Sequence, residues 1–255
     1  MNADSFRSKT LSLDDLRTLE VMPAWRDLRR FALRLGIAGT PFAVNGILRR
    51  RMWVRPHKMW EYARGVACVL AAASQRGGEQ PRVLDFGGGA TLPVFFLASR
   101  GCNVLSLDID AALTAFTNVV AMKQGWPLHG STRDITSKGH EIAEEFGKFD
   151  AVISFSVLEH VPKQLQAVAL ERLAGMLRPG GVFVLTFDYG EDAPVEGAVR
   201  SREEILRLAA ATGLEFLDGA GFTDRGERFA LDKRHPGRKF TFASVFLRKA
   251  ADDRK

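Results

Sequence analysis

The sequence RVLDFGGGAT, residues 82–91, decides how the rest of this chain can be interpreted. Its apolar start leads into Asp85, and three consecutive glycines, Gly87, Gly88 and Gly89, follow after one more residue. An apolar stretch over residues 92–98 comes next. A strand that ends in glycines and opens a helix brings the backbone close to a ligand, because glycine has no Cβ atom to collide with it. The alternative is a tight strand-to-helix turn without a ligand.

Strands and helices are predicted to alternate from this stretch onward. The predicted strands cover residues 82–86, 103–107, 128–133, 149–155 and 182–187, and the predicted helices cover residues 91–100, 111–123, 137–146 and 163–177. A stop-and-turn signal, Arg-Pro-Gly-Gly, follows the last of these helices at residues 178–181. Alternation at this spacing is typical of a doubly wound α/β sheet with right-handed crossovers.

The last part of the chain breaks this alternation. A capped helix is predicted over residues 201–212, and strands are predicted over residues 214–218 and 240–247. Because no helix separates these two strands, we expect them to be antiparallel. The polar loop between them, residues 219–238, is long for a simple connection and is predicted to have a function.

The first sixty residues show no strand pattern. Helices are predicted from Ser12 onward, over residues 25–35 and over residues 59–73. A breaker over residues 76–81 places the predicted domain boundary. We therefore expect an N-terminal helical extension or lid over residues 1–78 and an α/β domain over residues 79–250.

The composition is that of an ordinary globular protein, with 46% hydrophobic and 26% charged residues among 255. The two cysteines, Cys68 and Cys102, are too few for a disulfide framework and lack metal-ligand spacing. The sequence also shows no secretory signal and no apolar run long enough for a membrane span. These features predict a cytoplasmic protein, with its oligomeric state left open.

Arginines flank the apolar stretch of residues 35–48. They are Arg26, Arg29, Arg30 and Arg34 before it and Arg49, Arg50, Arg51 and Arg55 after it. Solvated arginines around a lid are one interpretation. Contacts with phosphates of a substrate are a second, and docking on an anionic membrane or a nucleic acid is a third.

Acidic residues follow three of the predicted strands, at Asp85, Asp108 and Asp134. Ligands of open α/β sheets bind beyond the carboxyl ends of the strands. Asp108 suits a ribose diol, and Asp134 is placed to accept a hydrogen bond from an adenine amino group. The three together indicate a nucleoside site.

These motifs resemble those of the class I S-adenosylmethionine-dependent methyltransferases of small molecules, of the type 11 or 12 kind, over residues 80–248. The matching segments are VLDFGGG at residues 83–89, LDID at 107–110, FDAVISFSVLEHV at 149–161 and LRPGG at 177–181. The resemblance implies a Rossmann-like sheet of seven strands in the order 3-2-1-4-5-7-6 with the last antiparallel. A nicotinamide dehydrogenase is disfavoured because its third glycine would fall at Leu92. Thr91 stands where the methyltransferases usually have a further glycine.

The resemblance assigns S-adenosyl-L-methionine as the cofactor. The residues that it places around the cofactor are Asp85, Phe86, Gly87, Gly88, Gly89, Asp108, Ile109, Asp134, Ile135, Phe155 and Ser156. His160 is the candidate general base and Glu159 its neighbour, although both side chains could instead cap the next helix. Some similar quinone-pathway enzymes bind a metal through an acidic residue at the position of Ser156, so no metal is expected here.

The acceptor is expected to be a small molecule methylated on oxygen or nitrogen, and the basic segments favour an anionic, sugar-like or secondary metabolite. The candidate acceptor residues are Trp60, Tyr62, Asp188, Tyr189, Arg225, Arg228 and His235. An RNA methyltransferase is an alternative, but the chain lacks the Asn/Asp-Pro-Pro-aromatic pattern of enzymes that methylate base amines. A membrane-associated enzyme with a lipid-linked acceptor and a non-enzymatic cofactor-binding protein are further alternatives.

Overall fold

A computed structural model describes residues 6–75, 78–137, 148–231 and 236–251. The strands are β1 (Ser8–Thr10), β2 (Phe42–Val44), β3 (Ile47–Arg49), β4 (Arg82–Phe86), β5 (Asn103–Asp108), β6 (Leu128–Thr132), β7 (Phe149–Phe155), β8 (Leu177–Tyr189), β9 (Glu215–Phe216), β10 (Phe222–Thr223) and β11 (Thr241–Arg248). The α-helices are α1 (Leu13–Thr18), α2 (Pro23–Ile37), α3 (Pro56–Ser74), α4 (Leu92–Ser99), α5 (Ala111–Gln124), α6 (Lys163–Gly175) and α7 (Arg202–Ala211).

The central sheet has the strand order β10-β1-β11-β8-β7-β4-β5-β6, with β9 paired to β11. Strands β6, β5, β4, β7 and β8 are parallel, and β11 is antiparallel to β8. The predicted order and the predicted antiparallel last strand are both confirmed. The outer edge of β11 is shared, because β1 pairs at Ser244 and β9 pairs at Leu247.

Helices cover both faces of this sheet. Successive strand residues alternate between the two faces, so Val83 joins the core with α2–α5 and Leu84 joins the core with α6 and α7. This arrangement explains why apolar side chains dominate the central strands.

The N-terminal segment differs from the prediction because it contains three short strands. β1 joins the central sheet, and β2 and β3 form a separate hairpin. The hairpin turn is Asn45-Gly46, with positive φ angles of 50° and 68°. Asn-Gly between apolar residues is a strong hairpin signal, and this signal was present in the sequence.

Two other elements depart from the expected bounds. The Arg-Pro-Gly-Gly turn signal lies inside β8, where residues 178–181 bulge between the pairs Phe149–Leu177 and Ala151–Val182. The strand predicted over residues 214–218 contains only Glu215–Phe216. Most of the helix predicted over residues 137–146 lies outside the described residues.

Candidate functional site

The glycine loop connects β4 to α4 and is fixed by the protein's own groups. Gly88 N–H donates to Asp85 Oδ2 at 3.1 Å, and Gly89 N–H donates to Asp108 Oδ2 at 3.0 Å. A Cβ atom on Gly88 would lie 2.2 Å from Asp85 Oδ1, and one on Gly87 would lie 2.3 Å from Val157 Cγ1. Neither position therefore tolerates a side chain, because the loop packs directly on neighbouring strand ends.

Thr91 closes this loop. Its hydroxyl donates to the carbonyl oxygen of Gly88 at 2.7 Å, and its backbone begins α4. The preceding Ala90 has a positive φ of 58°, an uncommon conformation for a residue with a side chain. A threonine at position 91 thus supplies a hydrogen bond that a glycine would not.

Asp85 lies beneath the loop with no exposure to solvent. Its Oδ2 accepts from Ser106 Oγ at 2.6 Å, whereas Oδ1 has no hydrogen-bond partner. Burial raises the pKa of Asp85 to about 7, and the nearby Asp108 carboxylate adds to this rise.

The ends of β5 and β6 lie beside the loop. Arg133 N–H donates to the carbonyl oxygen of Asp108 at 3.1 Å, which holds the two strand ends together. Asp108 is half-buried, and the neighbouring Ile109 is 75% exposed. Asp134 is exposed, and its Oδ1 accepts from both donors of Thr136, which lowers the pKa of Asp134. The next residue, Ile135, is buried.

The arrangement suits a nucleoside. A half-buried carboxylate at Asp108 can accept hydrogen bonds from a diol, and the exposed Ile109 offers an apolar surface for a base. Oδ1 of Asp85 is buried without a hydrogen-bond partner, so the loop contains an oxygen that could accept a hydrogen bond from a ligand.

A cavity of about 960 Å³ lies next to this region. Its lining comes from the β2–β3 hairpin, the start of α3, the segment after β7, the end of β8 and residues near β11: Val44, Asn45, Ile47, Arg50, Arg51, Met52, Trp53, Val54, Arg55, His57, Lys58, Ser156, Glu159, His160, Asp188, Pro194, Val195, Leu231, Phe240 and Phe242. Ser156 is followed by Val157, which packs on Gly87, so one short segment links the cavity to the glycine loop.

A buried network fixes that segment. Ser156 has a positive φ of 53°, and its hydroxyl donates to Glu61 Oε2 at 2.7 Å and accepts from Lys58 Nζ. Thr186 Oγ1 also donates to Glu61 Oε2, and Lys58 Nζ lies 3.3 Å from Glu61 Oε1. Burial alone would lower the pKa of Lys58, but the charge of Glu61 outweighs burial and raises it. Lys58 is therefore a cation within the cavity wall.

Glu159 and His160 lie in a 3-10 turn, Leu158–His160, rather than at a helix cap, since α6 begins only at Lys163. Glu159 is buried; its Oε1 accepts from Asp188 N–H at 3.2 Å, while Oε2 has no partner. Burial and the charge of Asp188 raise the pKa of Glu159 to about 8. His160 faces solvent, and partial burial together with the charge of Lys58 lowers its pKa.

A buried glutamine supports this turn. Gln166 Nε2 lies within hydrogen-bond distance of the carbonyl oxygens of Leu158, Val161 and Gly197, at 2.9, 3.2 and 2.7 Å. A Cβ atom on Gly197 would lie 2.4 Å from the carbonyl oxygen of Glu159. The turn is thus held from two sides, and neither contact could be predicted from the local sequence.

Of the residues predicted around the acceptor, Asp188 lines the cavity and five others do not. Trp60 and Tyr62 are buried in the core, where Tyr62 packs edge-on against Phe155. Tyr189 lies on the opposite side of β8 from Asp188, because neighbouring strand residues alternate.

Three more of these residues belong to the long loop before β11. Asp224 accepts from Tyr189 Oη at 3.0 Å and from two guanidinium nitrogens of Arg228 at 3.0 and 2.7 Å. Arg225 N–H donates to Thr10 Oγ1 at 2.8 Å. These bonds tie the loop to β8 and β1, whereas His235 lies outside the described residues.

Several charged or polar residues of this site were not predicted from the sequence. His57 and Lys58 line the cavity, whereas Glu61 and Thr186 belong to the buried network with Ser156. Arg50, Arg51 and Arg55 also line the cavity and were expected only as part of a basic cluster. Across the described parts of the chain, no group of three or more His, Cys, Asp or Glu side chains is arranged to hold a metal ion. Within the same parts, every helix is too short or too polar to cross a bilayer.

Comparison with known proteins gives consistent matches. The model of a family described as a methyltransferase domain matches residues 59–205, more than half of the chain. A ubiquinone biosynthesis O-methyltransferase of Pseudomonas aeruginosa (strain UCBPP-PA14) is 35% identical over 130 residues, which cover 50% of this chain and 53% of that protein. One from Xanthomonas axonopodis pv. citri is 30% identical over 127 residues, 50% of this chain and 51% of that protein. The chain thus spans about half the length of the curated relatives it matches.

Solved structures share the fold at low sequence identity. The cyclase SpnF has a TM-score of 0.56 and 16% identity, with 92% of this chain and 96% of that chain covered. Magnesium protoporphyrin IX methyltransferase from Synechocystis PCC 6803, with bound SAM, has a TM-score of 0.52 and 17% identity, with 94% and 99% covered. At these identities the likeness is one of fold.

Proposed function

This chain belongs to the methyltransferase domain family, and we propose that it transfers a methyl group from S-adenosylmethionine to a hydroxyl group of a small anionic molecule in the cavity. The observation that carries the proposal is the segment from Ser156 to His160. It packs on the glycine loop at one end, through Val157, and lines the cavity at the other. A donor at the loop and an acceptor in the cavity would therefore meet at this segment.

The cofactor site that we propose follows the strand ends. Asp108 would hold the ribose hydroxyls, and Ile109, Asp134 and Ile135 would surround the adenine. Gly87, Gly88 and Gly89, with Asp85 below them, would shape the loop beside the amino-acid part. When bound, S-adenosylmethionine supplies a methyl group on a sulfonium centre, which is already an activated leaving group.

The protein's task is then to orient the acceptor and take up its proton. His160 is the group that we assign as general base. Its pKa is lowered, so the imidazole is neutral at physiological pH and can accept the proton of the acceptor hydroxyl as the oxygen–carbon bond forms. The donor would supply the methyl group, and S-adenosylhomocysteine would be the leaving group.

Glu159 has a different role in this proposal. With a pKa of about 8 its carboxyl group is protonated at neutral pH, and Oε2, which has no partner in the protein, can donate a hydrogen bond. We propose that this O–H orients an oxygen of the acceptor. Glu159 would thus be a donor rather than a second base.

The cavity lining favours an anionic acceptor. Arg50, Arg51, Arg55 and Lys58 contribute positive charge, and the Nε–H of Arg51 is buried without a hydrogen-bond partner. With Glu159 protonated, Asp188 is the remaining carboxylate of the lining. Guanidinium groups match the geometry of carboxylates and phosphates. The names of the curated relatives, which are O-methyltransferases, support oxygen as the methylated atom.

The first test compares binding with turnover. S-adenosylhomocysteine binding is measured by calorimetry, and its formation is followed with a panel of hydroxylated aromatic and sugar acids. Asp108→Ala should weaken binding about ten-fold or more, because the ribose would lose its hydrogen bonds to a carboxylate. His160→Ala should lower kcat by about 10²–10⁴-fold with binding preserved, whereas His57→Phe, which keeps the ring stacked on Phe242, should lower kcat far less. Equal losses in the two histidine variants would remove His160 from the role of base.

The second test separates a donor from a base at position 159. Glu159→Gln keeps a hydrogen-bond donor and cannot ionise, so its kcat at pH 7 should remain within a few-fold of the unsubstituted enzyme, and Glu159→Ala should lose about 10–100-fold. Activity of the unsubstituted enzyme should fall above pH 8 as Glu159 ionises, and Glu159→Gln should lack this decline. Loss of activity in Glu159→Gln equal to that in Glu159→Ala would contradict the assignment.

A further inference from the structure

The positive charge of the chain is concentrated in one segment. Residues 21–60 contain eight arginines and one lysine but only one acidic residue, Asp27, a net charge of +8, whereas the whole chain carries +6. The rest of the chain is therefore slightly acidic. A segment of this kind attracts a polyanion or an anionic surface.

The same segment holds most of the exposed large hydrophobic side chains. Ten such side chains are exposed in the described parts of the protein, and six of them, Val21, Leu33, Ile37, Ile47, Met52 and Trp53, fall within residues 21–60. Ile37 is 67% exposed and Trp53 is 66% exposed. Exposed apolar side chains clustered in this way indicate an interaction surface.

Helix α2 and residues 42–53, which we call the hairpin segment, present these side chains together. Leu33 and Ile37 are four residues apart and lie on one face of α2, among the exposed arginines of that helix. The end of α2 lies against the hairpin segment, because a Cβ atom on Gly36 would lie 2.6 Å from Met52 Cγ and Arg50 Nε donates to Gly36 O at 2.8 Å. We name the exposed side chains of Arg26, Arg29, Arg30, Leu33, Arg34, Ile37, Ile47, Arg49, Met52 and Trp53 the basic face.

We propose that the basic face docks the protein on an anionic lipid bilayer. Arginines around exposed aliphatic and indole side chains match the interface of such a bilayer, where apolar side chains enter the boundary of the acyl chains and cations contact the headgroups. Ile47, Met52 and Trp53 also line the acceptor cavity. The cavity therefore opens within the docking surface, and an amphipathic acceptor could enter it from the bilayer. This last point rests on the proposed function, whereas the docking does not.

A bilayer explains the surface better than a nucleic acid does. Phosphate contacts would use the arginines, but a nucleic acid offers little apolar surface for Leu33, Ile37 and Ile47. Trp53 alone could stack on a base. The exposed aliphatic side chains therefore favour a bilayer over a nucleic acid.

Docking is tested by sedimentation of the full chain with vesicles at low salt, without cofactor or acceptor. Binding is expected with equimolar phosphatidylglycerol and phosphatidylcholine, not with phosphatidylcholine alone, and should weaken as salt is raised. Arg49→Glu should reduce the affinity roughly ten-fold. The matched control is Arg207→Glu, which makes the same charge change on α7, on the other face of the sheet, and should leave binding unchanged.

The contribution of the exposed apolar side chains to docking is tested separately. Ile37→Ser should weaken vesicle binding without changing net charge. Tryptophan emission should shift to the blue on binding, and Trp53→Phe should abolish the shift. The proposal is overturned if no vesicles bind at low salt, if Arg207→Glu and Arg49→Glu weaken binding equally, or if only a single-stranded RNA oligonucleotide is bound. Because methyl transfer is not measured, failure here would leave the proposed function standing.

Discussion

The protonation state of Asp85 depends on whether the chain is folded, because folding buries this carboxyl group beneath the glycine loop. Its carboxyl group has an ordinary pKa of 3.8 in the unfolded chain and about 7 in the folded protein, because burial disfavours the charge. The folded state therefore holds a proton that the unfolded state releases between about pH 4 and pH 7. This contribution to the free energy of unfolding is complete below pH 4 and is lost as pH rises through 7.

Asp85→Asn should remove this pH dependence. The amide cannot ionise, and its oxygen can still accept from Ser106 Oγ and Gly88 N–H. We expect the free energy of unfolding of the variant to exceed that of the unsubstituted protein by about 2–4 kcal/mol at pH 8 and to equal it near pH 4, as measured by urea denaturation across this range.

Asp134→Asn is the control for this measurement. The pKa of Asp134 is lowered, so the effect of its substitution should be smaller and of opposite sign, with stability lost at neutral pH. A gain of stability at pH 8 in both variants would indicate that general charge, and not burial of Asp85, causes the effect.

At the scale of elements, the contact of α2 with the hairpin segment depends on Gly36. A Cβ atom there would lie 2.6 Å from Met52 Cγ and 2.7 Å from the carbonyl oxygen of Arg51. Gly36→Ala should therefore displace residues 51–52, lower the free energy of unfolding by about 1–3 kcal/mol and raise KM for the acceptor. The matched control is Gly175→Ala at the end of α6, where a Cβ atom meets nothing within 4 Å. If both variants have the same stability in denaturant titrations, the contact does not fix the hairpin.

The parallel strands could be predicted from the sequence because each one is marked by a local run of mostly apolar residues. β4 and β7 begin and end where expected, because apolar side chains dominate a strand that is buried on both faces. β1 could not be predicted in the same way. It has three residues, and its partners in β11 are more than 230 positions away, so nothing in the local pattern marks it.

The same distinction applies to the residues of the candidate site: some are marked by the local sequence and others are not. Asp108 and the glycine loop follow strand ends, and the positions of strand ends can be inferred from the sequence. Lys58 and Glu61 could not be inferred, because their significance depends on burial against Ser156 and Thr186, about 100 residues later in the chain. An ion pair four positions apart or fewer on a helix is common at any protein surface.

At the scale of the whole molecule, the N-terminal segment belongs to the same packed unit as the sheet. Arg64 of α3 is buried between the rings of Trp60 and Phe246, and its guanidinium donates to the carbonyl oxygen of Arg7 and to Ser244 Oγ. Phe31 of α2 packs edge-on against Phe96 of α4. Removing residues 1–58 would leave an arginine buried without its carbonyl partner. It would also leave the part of the β11 edge that β1 covers unpaired and Phe96 more exposed, and each of these changes is unfavourable.

We therefore expect one cooperative unfolding transition for the full chain and no soluble folded product from residues 59–255 alone. Calorimetry of Phe31→Ala tests this expectation without truncation. Loss of the Phe31 ring from the core should cost about 3–5 kcal/mol, and because α2 is part of the single unit, the whole transition should move to lower temperature together. A split into two transitions, with only the first one shifted, would mean that the N-terminal segment unfolds on its own and that the sheet is stable without it.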